Sequence, residues 1–136
     1  MNSNLLRILI NLWPPYLFSG IHATHISTDY RSADVELRER WYNRNYVGTH
    51  FGGSLFAMTD AWYMIMLLKN LGREYYVWDQ RASIEYVAPG RGTLRAQFRL
   101  DEETLQRIRE RTGSGEKYLA EFGVDIINAE NQIVAS

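Results

Sequence analysis

The sequence predicts a single α+β domain in which a curved antiparallel sheet wraps around one long buried helix. Three observations predict it. The run Gly53 to Leu71 carries apolar residues in every direction around a helix, so other protein has to cover that helix on all sides. Alternating segments flank the run, two before and four after, with no helical crossovers between sequential strands; parallel pairing would need such crossovers. A chain of 136 residues with 46% apolar content has the size and composition of one globular domain, residues 1–136.

The elements follow in order. Leu5, Ile8, Leu9 and Leu12 fall at helical spacing, which predicts a short amphipathic helix in residues 1–19 that docks this face on the domain. The run stops at Pro14-Pro15 and is too short to span a bilayer, which takes roughly 20 apolar residues. Ile21 to Thr28 and Ala33 to Arg40 alternate, with Val35, Leu37 and Glu39 on one face of the second and a hairpin turn at Asp29 to Ser32. Gly72 marks the stop of the central helix. Tyr75 to Ala88 reads as a long strand with Ala82, Ile84 and Tyr86 on one side, and Pro89 to Gly92 as its turn. Thr93 to Leu100 is a further strand, Asp101 to Arg111 a charged surface helix, and Lys117 to Asn128 a strand bearing Tyr118 and Phe122. After a turn at Ala129 to Asn131, Gln132 to Ala135 starts a last strand shorter than hairpin partners usually run, which predicts a truncated end or an unusually short edge. One apolar helix and one long twisted sheet solve each other's burial problem when the sheet curls round the helix, the architecture called a hotdog fold.

Composition excludes several functions. A net charge of -1 with scattered basic residues offers nucleic acid no basic stripe. The chain has no cysteine, which rules out a disulfide framework, a thiol nucleophile and thiolate metal sites and suits a reducing, cytoplasmic setting. His22 and His25 lack partners at ligand spacing, so no metal is expected. The Met and aromatic residues of the helix, Met58, Trp62, Met64 and Met66, read as core, and some would suit the wall of an apolar pocket.

Asp60 lies within the apolar helix, where an ionised carboxylate is costly unless it is paired, hydrogen-bonded or kept for chemistry. Its structural alternative is to cap a distorted turn or to pair with an Arg or Lys of the sheet. Just upstream, Asn45-Tyr-Val-Gly-Thr-His-Phe-Gly-Gly53 is a glycine-marked loop feeding the helix N-terminus, where free N–H groups favour negative charge. Gly52 and Gly53 also permit a tight entry to the helix. Asn45 suits an Asx turn as well as substrate positioning, and His50 suits a backbone-bonded loop histidine as well as a catalyst.

These residues, with Ser83-Ile-Glu-Tyr-Val-Ala-Pro-Gly-Arg-Gly-Thr-Leu94, resemble the hotdog-fold acyl-CoA thioesterases of the phenylacetate type. The likeness is closer still to an uncharacterised hotdog family whose members are often labelled tetrameric acyl-CoA thioesterases. It covers nearly the whole chain. Relatives carry Asn-x-x-Gly-x-x-His-Gly-Gly followed by an acidic residue in the helix. Asn45, Gly48, Gly52, Gly53 and Asp60 match, while Phe51 stands at the histidine position with His50 before it.

The resemblance implies an acyl-CoA thioesterase with no cofactor beyond the coenzyme A of its substrate and with no membrane partner. Asp60 would activate water, the Gly52 N–H would stabilise the oxyanion, Asn45 would position, and Asp79 or His50 would support. Gly48, Phe51, Gly53 and Arg91 would contact substrate, Arg91 through phosphate; Arg73 is a weaker phosphate candidate. Gly53 and Asp60 are about 10 Å apart along one helix at ~1.5 Å rise per residue, so a site using both ends has to be shared across a two-fold homodimer or a dimer of dimers. Two alternatives stay open: a non-catalytic acyl-CoA or lipid-binding module, and an acyl-thioester dehydratase or hydratase pairing His50 with Asp60.

Overall fold

A computed structural model describes residues 1–136. Two helices, α1 (Ser3–Leu12) and α2 (Pro14–Leu17), precede β1 (Ile21–Ile26) and β2 (Ser32–Leu37). A single 3-10 turn, Trp41–Asn43, and a loop lead to α3 (Gly52–Thr59) and α4 (Trp62–Leu71). Then come β3 (Leu94–Arg99), α5 (Glu102–Thr112), β4 (Ile126–Ile127) and β5 (Ile133–Ala135). The five strands form one antiparallel sheet in the order β1-β2-β3-β4-β5, folded against α3 and α4 as the hotdog architecture requires.

Alternation decides which sheet face is buried. Ala33, Val35 and Leu37 of β2 pair with Phe98, Ala96 and Leu94 of β3, and all six are almost fully buried. Against them lie Leu55, Met58, Trp62 and Met66, whose spacing keeps one helical stripe turned to the sheet across both α3 and α4. Burying this stripe is the main stabilising contribution, at about 1.5–3 kcal/mol for each large apolar side chain.

Several predicted elements take a different form. The central run is two helices, because Asp60 is extended (φ -69, ψ 151) and Ala61 is left-handed (φ 77). One stripe of the run is buried, while Phe56, Met64 and Ile65 are half-buried and Leu68 is exposed, so the chain does not itself supply the all-round cover. Tyr75 to Ala88 is not a continuous strand. Only its end pairs, where Glu85 and Ser136 exchange N–H···O bonds of 2.8 and 3.0 Å and Tyr86 bridges Ala135. A strand exists only where a neighbouring backbone accepts its N–H groups, and Tyr76 and Trp78 stand in solvent. In the same way Lys117 to Asn128 forms ladder only at Ile126–Ile127, although Phe122 stacks on Tyr63 at 4.5 Å. Glu39 lies beyond the end of β2 and pairs with Arg44.

The N-terminal helix also docks the other way round. Leu5, Ile8, Leu9 and Leu12 are exposed, and Ser3, Leu6 and Ile10 face the domain. Polar contacts choose that face: the Asn11 amide donates to the Ala23 carbonyl at 2.9 Å and accepts the Ala23 N–H at 2.7 Å. α5 starts where Asp101 accepts the Thr104 N–H at 2.7 Å, and buried Leu105 and Ile108 anchor an otherwise charged helix.

Candidate active site

The loop before α3 is organised by its own side chains. The Asn45 Oδ1 accepts the N–H groups of Val47 (3.1 Å) and Thr49 (3.0 Å), and its Nδ2 donates to Thr49 Oγ1 (2.9 Å) and to the His50 carbonyl (3.3 Å). Both ends of the amide are spent, so Asn45 shapes the loop rather than orienting water or a thioester carbonyl. Gly48 sits at the loop tip with φ +85, a region that L side chains rarely adopt.

His50 is also structural. It is 4% exposed, its Nε2 meets the Gly92 carbonyl at 2.6 Å and its N–H donates to the Gly90 carbonyl at 2.9 Å. These bonds tie the loop to the turn after Ala88, so the His50 Nε2 is not available to pair with Asp60. Arg91, in the same turn, is exposed and makes no ion pair.

Phe51 is the N-cap of α3, and no side chain caps that terminus. The first N–H groups of a helix have no intrahelical acceptor, so the Gly52 and Gly53 amides present two donors at the helix N-terminus. The Phe51 ring lies over Gly53, where a Cβ would collide with it. The Tyr86 hydroxyl donates to the Gly52 carbonyl at 3.0 Å. That carbonyl and the Gly53 N–H belong to one peptide unit, so Tyr86 fixes the direction of a donor. Beside it opens a cleft of about 320 Å³ lined by Phe18, Tyr42, Arg44, Phe51, Gly53 and Ser54 among others: aromatic walls, one cation and the start of α3.

Asp60 closes the other end of α3. Its side chain is exposed at the helix break instead of being held in an apolar interior, because the backbone turns outward at Ala61. One carboxylate oxygen accepts the Ala61 N–H at 2.8 Å, a local cap of the distorted turn. The Tyr16 hydroxyl donates to the Asp60 carbonyl at 3.0 Å. Asp79 comes from the segment after α4 and meets the Asp60 side chain. Partial burial, then the hydrogen bond with Asp60 and then the Asp60 charge push the Asp79 carboxyl above its ordinary range. The two carboxyls are therefore neighbours at the helix break, with Asp79 the one pushed upward.

The structure thus joins Asp60 to Asp79 at one end of α3 and gathers Phe51, Gly52, Gly53 and the loop of Asn45 and Gly48 at the other. Within the chain the two ends are not brought together. Sequence reasoning passed over Phe18, Tyr42, Arg44 and Ser54 in the cleft, and Tyr16 at the break. Tyr16 follows two prolines, and a buried tyrosine hydroxyl usually finds a partner, but nothing local names Asp60 as that partner.

A family model described as "Domain of unknown function (DUF4442)" matches residues 2–136. No curated protein matches the sequence. Solved structures share the fold at low identity. A Pseudomonas aeruginosa protein of unknown function, PA5026, described as a probable thioesterase, has a TM-score of 0.84 at 18% identity over 99% of this chain and 90% of its own. Thioesterase HI1161 of Haemophilus influenzae has a TM-score of 0.70 at 13% identity over 99% and 85%. The E. coli PaaI protein of the phenylacetic acid degradation operon has a TM-score of 0.59 at 18% identity over 98% and 89%.

Proposed function

Because the chain belongs to the DUF4442 family, whose description leaves the reaction open, we propose a function from its own site: hydrolysis of an acyl-CoA thioester by a cytoplasmic homodimer or dimer of dimers. The observation that carries this reading is the Asp60–Asp79 carboxyl pair at the break after α3. It is joined by the uncapped glycine amides at the start of the same helix. The thioesterase descriptions of two similar folds, PA5026 and HI1161, agree with it.

Asp60 is the base. One of its oxygens is anchored by the Ala61 N–H, which fixes the carboxylate and leaves lone pairs for a water. The water gives its proton to Asp60 as its oxygen bonds to the thioester carbon, and the carbonyl oxygen takes up charge against the Gly52 N–H. Collapse of that intermediate breaks the C–S bond, and the departing thiolate recovers the proton from the Asp60 carboxyl. Asp79, whose carboxyl is pushed above its ordinary range by partial burial and by its hydrogen bond with Asp60, holds the Asp60 side chain in place.

Asp60 and Gly52 stand a whole helix apart, about 12 Å at ~1.5 Å per residue, so one thioester cannot reach both in the same protomer. A second copy running antiparallel along α3 places Asp60 of one protomer against Gly52 of the other. Phe56, Met64, Ile65 and Leu68, left partly or wholly uncovered, supply apolar surface for that contact. The cleft beside Gly53 offers aromatic walls for the acyl or pantetheine chain, and Arg44 in its lining can meet an anionic tail.

The test is a thiol-release screen over short, long and aromatic acyl-CoA esters with wild type and Asp60→Ala. Release that disappears in the variant supports hydrolysis by Asp60. Saturable binding without release refutes it in favour of a binding module, and turnover of enoyl or hydroxyacyl esters without thiol release refutes it in favour of a hydratase.

A further inference from the structure

The buried stripe Leu55, Met58, Trp62, Met66 keeps helical spacing straight through the break, and the run contains neither proline nor glycine between Ser54 and Leu71. Interior breaks are usually owed to such residues or to an inserted group, and the local bonds at this one, Thr59 Oγ1 to the Phe56 carbonyl at 2.8 Å and the Ala61 N–H to Asp60 Oδ1 at 2.8 Å, leave the Asp60 carbonyl without a helical partner. Yet Ala61 takes φ 77, a conformation that L residues other than Asn and Asp seldom adopt. In an unbroken helix the Asp60 carbonyl would accept the Met64 N–H. Here it accepts the Tyr16 hydroxyl at 3.0 Å.

Tyr16 is rigidly held. It is 2% exposed, and its ring packs between Trp13 (5.4 Å between centroids) and Trp62 (6.2 Å), which continues to Phe98 of the sheet (6.1 Å). Burial raises the phenol well above its ordinary value, so the hydroxyl stays a donor. The Trp62 indole N–H, buried and without an acceptor at good geometry, lies within reach of the same oxygen.

We propose that Tyr16 is a positioning residue: by taking the Asp60 carbonyl out of the helical ladder it keeps the backbone broken at Asp60–Ala61 and so aims the Asp60 carboxylate outward against Asp79. The proposal rests on reading Asp60 as the base and adds what sets its direction. The N-terminal Trp13-Pro-Pro-Tyr16 turn is thereby a functional part of the site and not only a cover for the sheet. Closing the helix would return the Asp60 carbonyl to Met64, bring Ala61 into the helical region and carry the carboxylate away from Asp79.

Tyr16→Phe keeps the ring and deletes only the hydroxyl. Two readouts follow it: carboxyl titration of Asp79 by NMR, and steady-state thiol release. The expected results are that Asp79 titrates closer to an ordinary aspartate and that kcat falls by about 10²-fold while KM stays near its wild-type value. Adding Ala61→Gly should restore both, because glycine accepts the left-handed conformation without the tyrosine's help. Unchanged Asp79 titration and kcat in Tyr16→Phe overturn the proposal. A loss that Ala61→Gly fails to restore also overturns it, by assigning Tyr16 a general packing role. If the wild type releases no thiol from any ester, the hydrolase reading fails, while the Asp79 titration still decides whether Tyr16 sets the Asp60 geometry.

Discussion

The Asp79 side chain meets the Asp60 carboxyl at the end of α3, and with its partial burial this contact keeps Asp79 protonated above the ordinary aspartate range. The two residues lie on either side of α4 in the chain, and their meeting gives the helix break two carboxyls instead of one.

The pair has a consequence for stability. A carboxyl whose folded pKa is raised binds its proton more tightly in the native state, so its ionisation opposes folding. This contribution is absent below the unfolded value of 3.8, grows as pH rises through the window between 3.8 and the raised folded value, and is constant above it. Asp79→Asn should therefore raise the denaturation midpoint relative to wild type at neutral pH and lose that advantage at acid pH. Urea titrations at both pH values measure it, and an advantage that grew toward acid would contradict the pairing.

Tyr86 and Gly52 form the second testable contact. A Cβ at Gly52 would stand 3.0 Å from the Tyr86 ring, so Gly52→Ala should displace the ring and lose the 3.0 Å bond to the Gly52 carbonyl. Tyr86→Phe should cost at most about 1.5 kcal/mol of stability but reduce thiol release several-fold, because Gly52, whose N–H faces the oxyanion, loses the bond that anchors its carbonyl. Wild-type rates in Tyr86→Phe would remove that role.

His50 should behave as a structural residue. His50→Ala removes a buried ring and its bond to the Gly92 carbonyl, and a hydrogen bond of this kind is worth about 0.5–1.5 kcal/mol. Thermal unfolding should show that loss, while kcat per folded molecule stays within a few-fold of wild type. Abolished turnover in a folded His50→Ala protein would return the histidine to the chemistry.

Much of the fold was legible in the sequence and part of the site was not. The β1–β2 hairpin, the buried stripe and the charged helix α5 follow from local periodicity and capping, which neighbouring residues determine. The break at Asp60–Ala61 carries no proline or glycine signal, and the hydroxyl that takes the Asp60 carbonyl lies 44 residues earlier in the chain. Alternation in Tyr75 to Ala88 described a segment able to be a strand, but pairing depends on which backbone lies alongside. The face of α1 that docks was set by the Asn11 amide against Ala23, and a polar pair outweighed the more apolar face. Asn45, Gly48, Gly52 and Gly53 were recognisable by spacing, yet spacing alone did not separate a residue that builds the loop from one that touches substrate.

The proposal that the site is shared between two copies of the chain is open to a direct measurement by mixing two inactive variants. Asp60→Asn removes the base. Gly52→Pro removes the N–H donor at a position where proline is tolerated in helices, with Phe51 already in the extended conformation (φ -63, ψ 128) that a following proline requires. The Tyr86 ring, which a side chain at Gly52 would crowd, is cut back by Tyr86→Ala in both variants. Co-refolded in equal amounts, half of the dimers are mixed and each mixed dimer holds one intact site, so thiol release should recover to about a quarter of the Tyr86→Ala parent. A mixture that forms mixed dimers but stays as inactive as either variant alone would contradict a site built from Asp60 of one protomer and Gly52 of the other.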